Sequence, residues 1–227
     1  MNELIVVKKP NSATSEEIKK IRTNIKFASV NEVVKVIMVT SSVPGEGKSF
    51  VSANLAASFA VNGEKTLIID CDLRRGRQKK IFDVQTTNTE GLSNLLIDKD
   101  WNESLTKYIK KTKVDNLFVI PTGPFPANTS ELLASLRTRE VLEKLKKKFN
   151  VIILDCPPIV GLNDSLVISS LADMSLIVAK HKETPMDVLE KSKKALDAVG
   201  AKKINIVLNQ VDAKENNYYY KTYYNKD

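Results

Sequence analysis

Six short apolar runs, rich in β-branched residues, punctuate the chain at 35–40, 66–70, 117–120, 151–155, 174–179 and 204–209. Between most of them lie longer stretches in which apolar residues recur every third or fourth position, as an amphipathic helix requires. A strand with one wet face alternates apolar and polar residues, whereas an uninterrupted apolar run implies cover on both faces. Such strands alternating with helices predict an α/β fold, a parallel β-sheet flanked by helices on both faces. In open sheets of this kind ligands collect beyond the carboxyl ends of the strands.

Two segments frame this core. Residues 15–27 read as a helix with Ser15 as N-cap, Glu16 and Glu17 at its positive end, and Ile18, Ile21 and Ile25 along one apolar stripe. Past Asn209 the periodicity stops. Residues 213–227 are polar, lysine-bearing and aromatic only through tyrosine, which predicts a flexible or loosely attached tail. The chain thus divides into an N-terminal arm and helix over 1–30, a core over 31–212 and a tail over 213–227, around one globular domain.

The first apolar run leads straight into Val43, Pro44, Gly45, Glu46, Gly47, Lys48, Ser49 and Phe50, followed by an alanine-rich helical pattern. Strand, glycine-rich turn and helix in that order form a phosphate cradle of the P-loop NTPase kind. Backbone N–H groups surround the phosphates, Lys48 reaches the outer ones, and the Ser49 hydroxyl suits Mg²⁺. The first glycine usual in such loops, six positions before Lys48, is replaced by Ser42.

Two strands deliver acids to the same end of the sheet. Asp70 and Asp72 stand two residues apart where the 66–70 run ends, and Asp155 closes the 151–155 run just before Pro157 and Pro158. One acid after a strand is ordinary turn chemistry; three on two strands beside a P-loop point to Mg²⁺ and phosphoryl transfer. A carboxylate facing the terminal phosphate can take the proton of an attacking hydroxyl, and Asp70 is the candidate base. The last run ends in Asn209, Gln210, Val211 and Asp212. Asn209 can pair with an adenine edge and Asp212 with a guanine, and the four residues alone leave the base open.

Composition narrows the setting. The 227 residues are 42% hydrophobic, enough for one buried core, and carry a net charge of +8. That charge is spread over helical lysines without interleaved aromatics, which does not favour nucleic acid. No apolar run approaches the roughly 18 to 20 residues that span a bilayer, and the N-terminus lacks the order of a signal peptide, so a cytoplasmic protein is expected. Cys71 and Cys156 follow strand-end acids and read as buried reduced thiols. The lone His181 reads as a surface residue.

Tyr218, Tyr219, Tyr220, Tyr223 and Tyr224 make up five of the six tyrosines, set among Asn and Lys rather than core neighbours. Tyrosines so placed make poor structure and good phosphate acceptors. With this cluster the chain resembles the bacterial tyrosine kinases of the capsule and exopolysaccharide type, the cytoplasmic kinase domains that partner a membrane chain-length regulator. The resemblance covers nearly the whole sequence. It rests on residues 40–49, on Asp70 to Arg74, on Gly91-Leu92-Ser93, on Pro121-Thr122-Gly123-Pro124 with Ser130-Glu131-Leu132-Leu133, on Asp155-Cys156-Pro157-Pro158, and on the tyrosine tail.

The resemblance implies ATP and Mg²⁺ as cofactors, Ser49 as direct metal ligand with Asp72 and Asp155 around it, and Lys48, Asp70 and Asp72 as catalytic residues. It also implies autophosphorylation of the tail between subunits, regulation of capsular or exopolysaccharide synthesis or export, a membrane-bound activator that recruits the kinase to the inner face of the membrane, and a cognate tyrosine phosphatase. Glu16, Lys19, Arg22 and Asn24 match the family's oligomerisation motif, implying a ring-like homo-oligomer. Lys19 stands where the motif has arginine, which keeps the charge but loses the bidentate fork. The partitioning and division-site switch ATPases share the two acidic motifs. They carry a signature lysine five residues before the P-loop lysine, where this chain has Val43, and they commonly end in an amphipathic membrane helix that residues 216–227 cannot form.

Overall fold

A computed structural model describes residues 3–28, 32–87 and 89–212. The five tail tyrosines lie outside the described residues. The strands are β1 (Val36–Ser41), β2 (Thr66–Asp70), β3 (Lys110–Lys111), β4 (Leu117–Ile120), β5 (Val151–Asp155), β6 (Met174–Lys180) and β7 (Ile204–Asn209). They form one sheet in the order β3-β4-β2-β5-β1-β6-β7. The helices are α1 (Ile5–Lys8), α2 (Ala13–Ala28), α3 (Lys48–Val61), α4 (Gln78–Ile81), α5 (Leu92–Ile97), α6 (Trp101–Tyr108), α7 (Thr129–Ala134), α8 (Leu136–Lys146), α9 (Asp164–Ser169) and α10 (Met186–Ala198).

All six expected strands are present within a residue of their predicted limits. The sheet is not wholly parallel, however, because β3 pairs antiparallel with β4, Lys110 opposite Val119 and Lys111 opposite Phe118. Two lysines carry no hydrophobic signal, and a short lysine-bearing edge strand resists pairing with other chains.

The apolar runs divide between the two faces residue by residue, as the period of a strand requires. Val36, Met38, Leu67, Ile69, Ile152 and Leu154 join the core under α5, α8 and α9. Ile37, Val39, Ile68 and Ile153 join the opposite core with Val51, Leu55 and Phe59 of α3. This double cover explains why the central strands show no alternation in sequence.

The N-terminal segment is stitched to the core. Leu4 is fully buried, and the fully buried Asn54 of α3 accepts from Val6 N at 3.2 Å and donates to Glu3 O at 2.9 Å. Ile18 and Ile25 are buried and Ile21 is partly so, as the stripe predicts. Ser15 is not the N-cap: α2 begins at Ala13, and the Ser15 hydroxyl donates to Lys9 O at 2.7 Å. Ser12, one residue before the helix, takes that place: its hydroxyl accepts from Ser15 N at 3.3 Å and its carbonyl from Glu16 N at 3.0 Å. Cys71 and Cys156 are both free and buried. No helix among the described residues is long and apolar enough to cross a membrane.

Candidate active site

After β1 the chain turns through residues 42–47 into α3. Gly45 and Gly47 have φ of +90° and +93°, where side chains are disfavoured, and a β-carbon on Gly47 would lie 2.1 Å from Asn209 Nδ2. Ser42 takes the place of the usual first glycine at negative φ, so a side chain is tolerated there. Val160 N donates to Ser42 O at 3.1 Å. Glu46 is 2% exposed and does not line the cleft. Its carboxylate accepts from Val43 N at 2.9 Å and from the Thr184 hydroxyl, while its carbonyl accepts from Asn209 Nδ2 at 2.8 Å. The Glu46 side chain therefore braces the loop from within instead of facing a ligand.

The loop opens onto a cleft of about 770 Å³ whose walls include Pro44, Gly45, Gly47, Lys48, Ser49, Phe50, Asp72, Asn209 and Gln210. Arg74, Arg75 and Arg77 line its rim. Asn209 and Gln210 reach the cleft from the end of β7, and Asp212 does not.

The three acids converge because β2 and β5 are neighbours in register, with Asp70 opposite Asp155. Lys48 Nζ lies 2.8 Å from Asp72 Oδ2 and 3.3 Å from Ser49 Oγ. Asp72 faces the cleft; Asp70 and Asp155 stand behind it, 1% and 0% exposed. Asp155 accepts from Ser52 Oγ at 3.0 Å and from Gln78 Nε2 at 2.7 Å. Asp70 Oδ2 accepts from Gln78 N at 2.8 Å, and Asp70 Oδ1 is buried without a hydrogen-bond partner among the described residues.

Burial, then the charge of Asp155, push the Asp70 carboxyl well above the usual carboxylate range, against the pull of the Gln78 N–H and Lys48. For Lys48 burial pulls the other way, but Asp155 and Asp72 outweigh it and hold the ammonium above its ordinary value. The cluster is thus a buried acidic nest with one cation, short of positive charge. No group of three His, Cys, Asp or Glu among the described residues would hold a metal alone. Mg²⁺ usually takes only one or two carboxylates and completes its shell with phosphate and water oxygens; Ser49 and Asp72 line the cleft, and the unpartnered Asp70 oxygen behind them leaves the nest short of positive charge, which fits such an ion arriving with a nucleotide.

Gln78 escaped the sequence reading. Wholly buried at the start of α4, it bonds both acid-bearing strands and also Ser49 O at 3.2 Å. No motif marks it; the turn after β2 places it. Gly76 was missed for the same reason: a β-carbon there would sit 2.2 Å from Thr122 Cγ2 and 2.9 Å from Asp70 Oδ2. Asp164 was missed as well, fully buried and 3.1 Å from Arg74 Nε.

The residues matched to an oligomerisation motif lie apart from this cleft, on α2. Glu16 pairs with Lys19 at 2.8 Å, Lys19 also donates to Pro10 O, Arg22 donates to Ser58 O at 2.8 Å, and Asn24 is exposed. Lys19 and Arg22 thus already hold contacts within their own chain.

The AAA domain family matches the chain over residues 34–209. The tyrosine-protein kinase YwqD of Bacillus subtilis is 36% identical over 206 residues, covering 91% of this chain and 85% of that protein. Among solved structures, the kinase domain of the Escherichia coli tyrosine kinase ETK superposes with a TM-score of 0.86 at 33% identity, covering 92% of this chain and 80% of that one. The crystal structure of the chimerical protein CapA2B2 gives a TM-score of 0.85 at 37% identity, covering 93% and 91%.

Proposed function

The chain belongs to the bacterial tyrosine-protein kinases built on a P-loop ATPase fold, and from that premise we propose that it moves the terminal phosphoryl group of ATP onto tyrosines of its own tail, Tyr218, Tyr219, Tyr220, Tyr223 and Tyr224, in a neighbouring copy. The observation that carries this reading is the convergence of Asp70, Asp72 and Asp155 on Lys48 at the floor of one cleft. The residues 44–50 wrap the phosphates, with Asn209 beside the loop on the base side. Lys48 turns from Asp72 toward the outer phosphates and offsets their charge. Ser49, Asp72 and Asp155 would hold Mg²⁺, which would supply charge neutralisation of the phosphates.

In the transfer step the tyrosine oxygen bonds to the terminal phosphorus as the bond to the bridging oxygen breaks and ADP leaves. The phenolic proton passes to Asp70. Asp70 must be ionised for this. Burial and Asp155 oppose that form, and the Gln78 N–H and Lys48 favour it.

Fifteen tail residues extend about 50 Å at full stretch, so reach into a neighbouring copy is not limiting. Each phosphate adds about −1.5 to −2, so five would offset the net charge of the chain and release the tail from a site lined with acids and phosphates. Assembly through Glu16, Lys19, Arg22 and Asn24, a membrane-bound activator, a cognate phosphatase and a role in capsular polysaccharide synthesis or export belong to the same proposal. Val43, in place of a signature lysine, weighs against a switch ATPase.

The test is incubation with Mg²⁺ and γ-labelled ATP of the unmodified protein, of Lys48→Met and of a variant with all five tail tyrosines changed to Phe. Label on the unmodified protein alone supports the reading. ATP hydrolysis with no phosphotyrosine would replace it with a switch ATPase.

A further inference from the structure

Phe125 is 61% exposed, flanked by Pro124 and Pro126, in the loop that follows β4. Prolines on both sides stiffen its backbone, and Ser93 Oγ donates to Pro124 O at 2.8 Å, tying the loop to α5. The Arg74 guanidinium carbon lies 5.8 Å from the centroid of the Phe125 ring. Arg74 lines the same cleft as Lys48 and Asp72. Its Nε donates to Asp164, whose other carboxylate oxygen accepts from the Ser130 hydroxyl.

A fully buried carboxylate is costly and persists only when well partnered. Asp164 meets that cost with Ser130 and with a guanidinium whose side chain remains 38% exposed. The fold therefore fixes a rigid aromatic beside Arg74, a cation that lines the phosphoryl-transfer cleft. Such a pair attracts the face and edge of another aromatic ring.

We propose that Phe125 and Arg74 form the platform on which the ring of the acceptor tyrosine lies, which makes Phe125 a specificity-determining residue. The inference rests on the assignment of the cleft given above. A serine or threonine has no ring to lie there.

The other aromatic at such a site would be the nucleotide base, and the sheet order argues against it. Asn209 ends β7, and five strand steps separate β7 from β4, about 24 Å at roughly 4.8 Å a step. The P-loop leaves β1, which lies between them. A base beside Asn209 thus sits on one side of the phosphates, and Phe125 on the other.

The experiment uses the full chain with its five tail tyrosines changed to Phe, and a synthetic peptide of residues 213–227 as acceptor. Phe125→Ala is expected to raise the KM for the peptide about ten-fold, the scale of one aromatic contact. Phe125→Trp should restore it, and the Kd of a fluorescent ADP should stay unchanged in both, with an unaltered melting temperature as the check on folding. Phe125→Leu serves as a second apolar variant, expected to behave as Phe125→Ala. An unchanged peptide KM in Phe125→Ala, a weakened ADP affinity, or no transfer to the peptide by the parent chain would each overturn the platform. Lys48→Met separates the two readings: retained transfer in that variant sinks the assignment of the cleft itself, whereas its loss together with an unchanged KM in Phe125→Ala sinks only the platform.

Discussion

Lys48 Nζ stands 2.8 Å from Asp72 Oδ2, with side chains only 12% and 5% exposed, so the phosphate-binding lysine is held by the acid expected to face the metal. Nucleotide phosphates must compete with Asp72 for this ammonium. Removing either partner strands the other in a place nearly closed to water. Lys48→Met should lower stability and abolish phosphotransfer. In a double-mutant cycle with Asp72→Asn, the two changes together should cost less than their sum by about 1 to 3 kcal/mol, read from urea unfolding. Additive costs would mean that the contact contributes nothing.

Asp70 is held well above the ordinary carboxylate range by burial and by Asp155. A carboxyl raised in the folded state contributes stability that is present below its unfolded value and is lost as pH climbs through the folded one. Asparagine does not titrate. Asp70→Asn should therefore raise the melting temperature, little in acid, increasingly as pH rises above the unfolded value, and by a constant amount beyond the folded one, and should remove kinase activity. Melting curves across pH check it, and an equal gain at every pH would refute the electrostatic cause.

Gln78→Leu removes the donor to Asp155 and to Ser49 O but keeps the backbone N–H on Asp70. A buried acceptor left unpaired costs about 1 to 3 kcal/mol. The expected result is a lower melting temperature and weaker Mg²⁺-dependent ADP binding, measured by titration of a fluorescent ADP at several Mg²⁺ concentrations. Unchanged Mg²⁺ dependence would limit Gln78 to a packing role.

Tyr108 donates to Asp98 Oδ2 at 2.8 Å and, through burial and that carboxylate, is pushed up to about 12. The stability this gives is complete below the ordinary tyrosine value of 10.0 and is lost as pH rises through the folded one. An ultraviolet titration of phenolate should show one of the six tyrosines ionising well after the rest. Tyr108→Phe should abolish that late step, and a single joint transition in the unmodified protein would contradict the geometry.

Much of this was legible in the sequence because it is local. Continuous apolar runs gave the six core strands, since a strand covered on both faces has no polar position to spare. The order of strand, Gly47, Lys48 and Ser49 located the cradle, because a backbone that wraps phosphates needs glycine and a helix start at fixed spacing. Asp70, Asp72 and Asp155 were found because they end such runs. Whatever depends on strand order was not legible. Only the pairing of β2 with β5 sets Asp70 opposite Asp155 and turns two ordinary strand ends into one acidic nest. Only the path after β2 brings Gln78 under both, and only the packing of α9 buries Asp164 against Arg74. Glu46, adjacent to the phosphate-binding glycines, reads as a ligand contact until the fold turns its carboxylate inward to Val43 and Thr184. The sequence by itself determined which segments become strands, helices and phosphate loop, because those follow from residues near one another along the chain. The tertiary structure decided which side chains meet, because residues such as Gln78 and Asp155 are 77 positions apart and acquire their chemistry from a neighbour no local pattern can name.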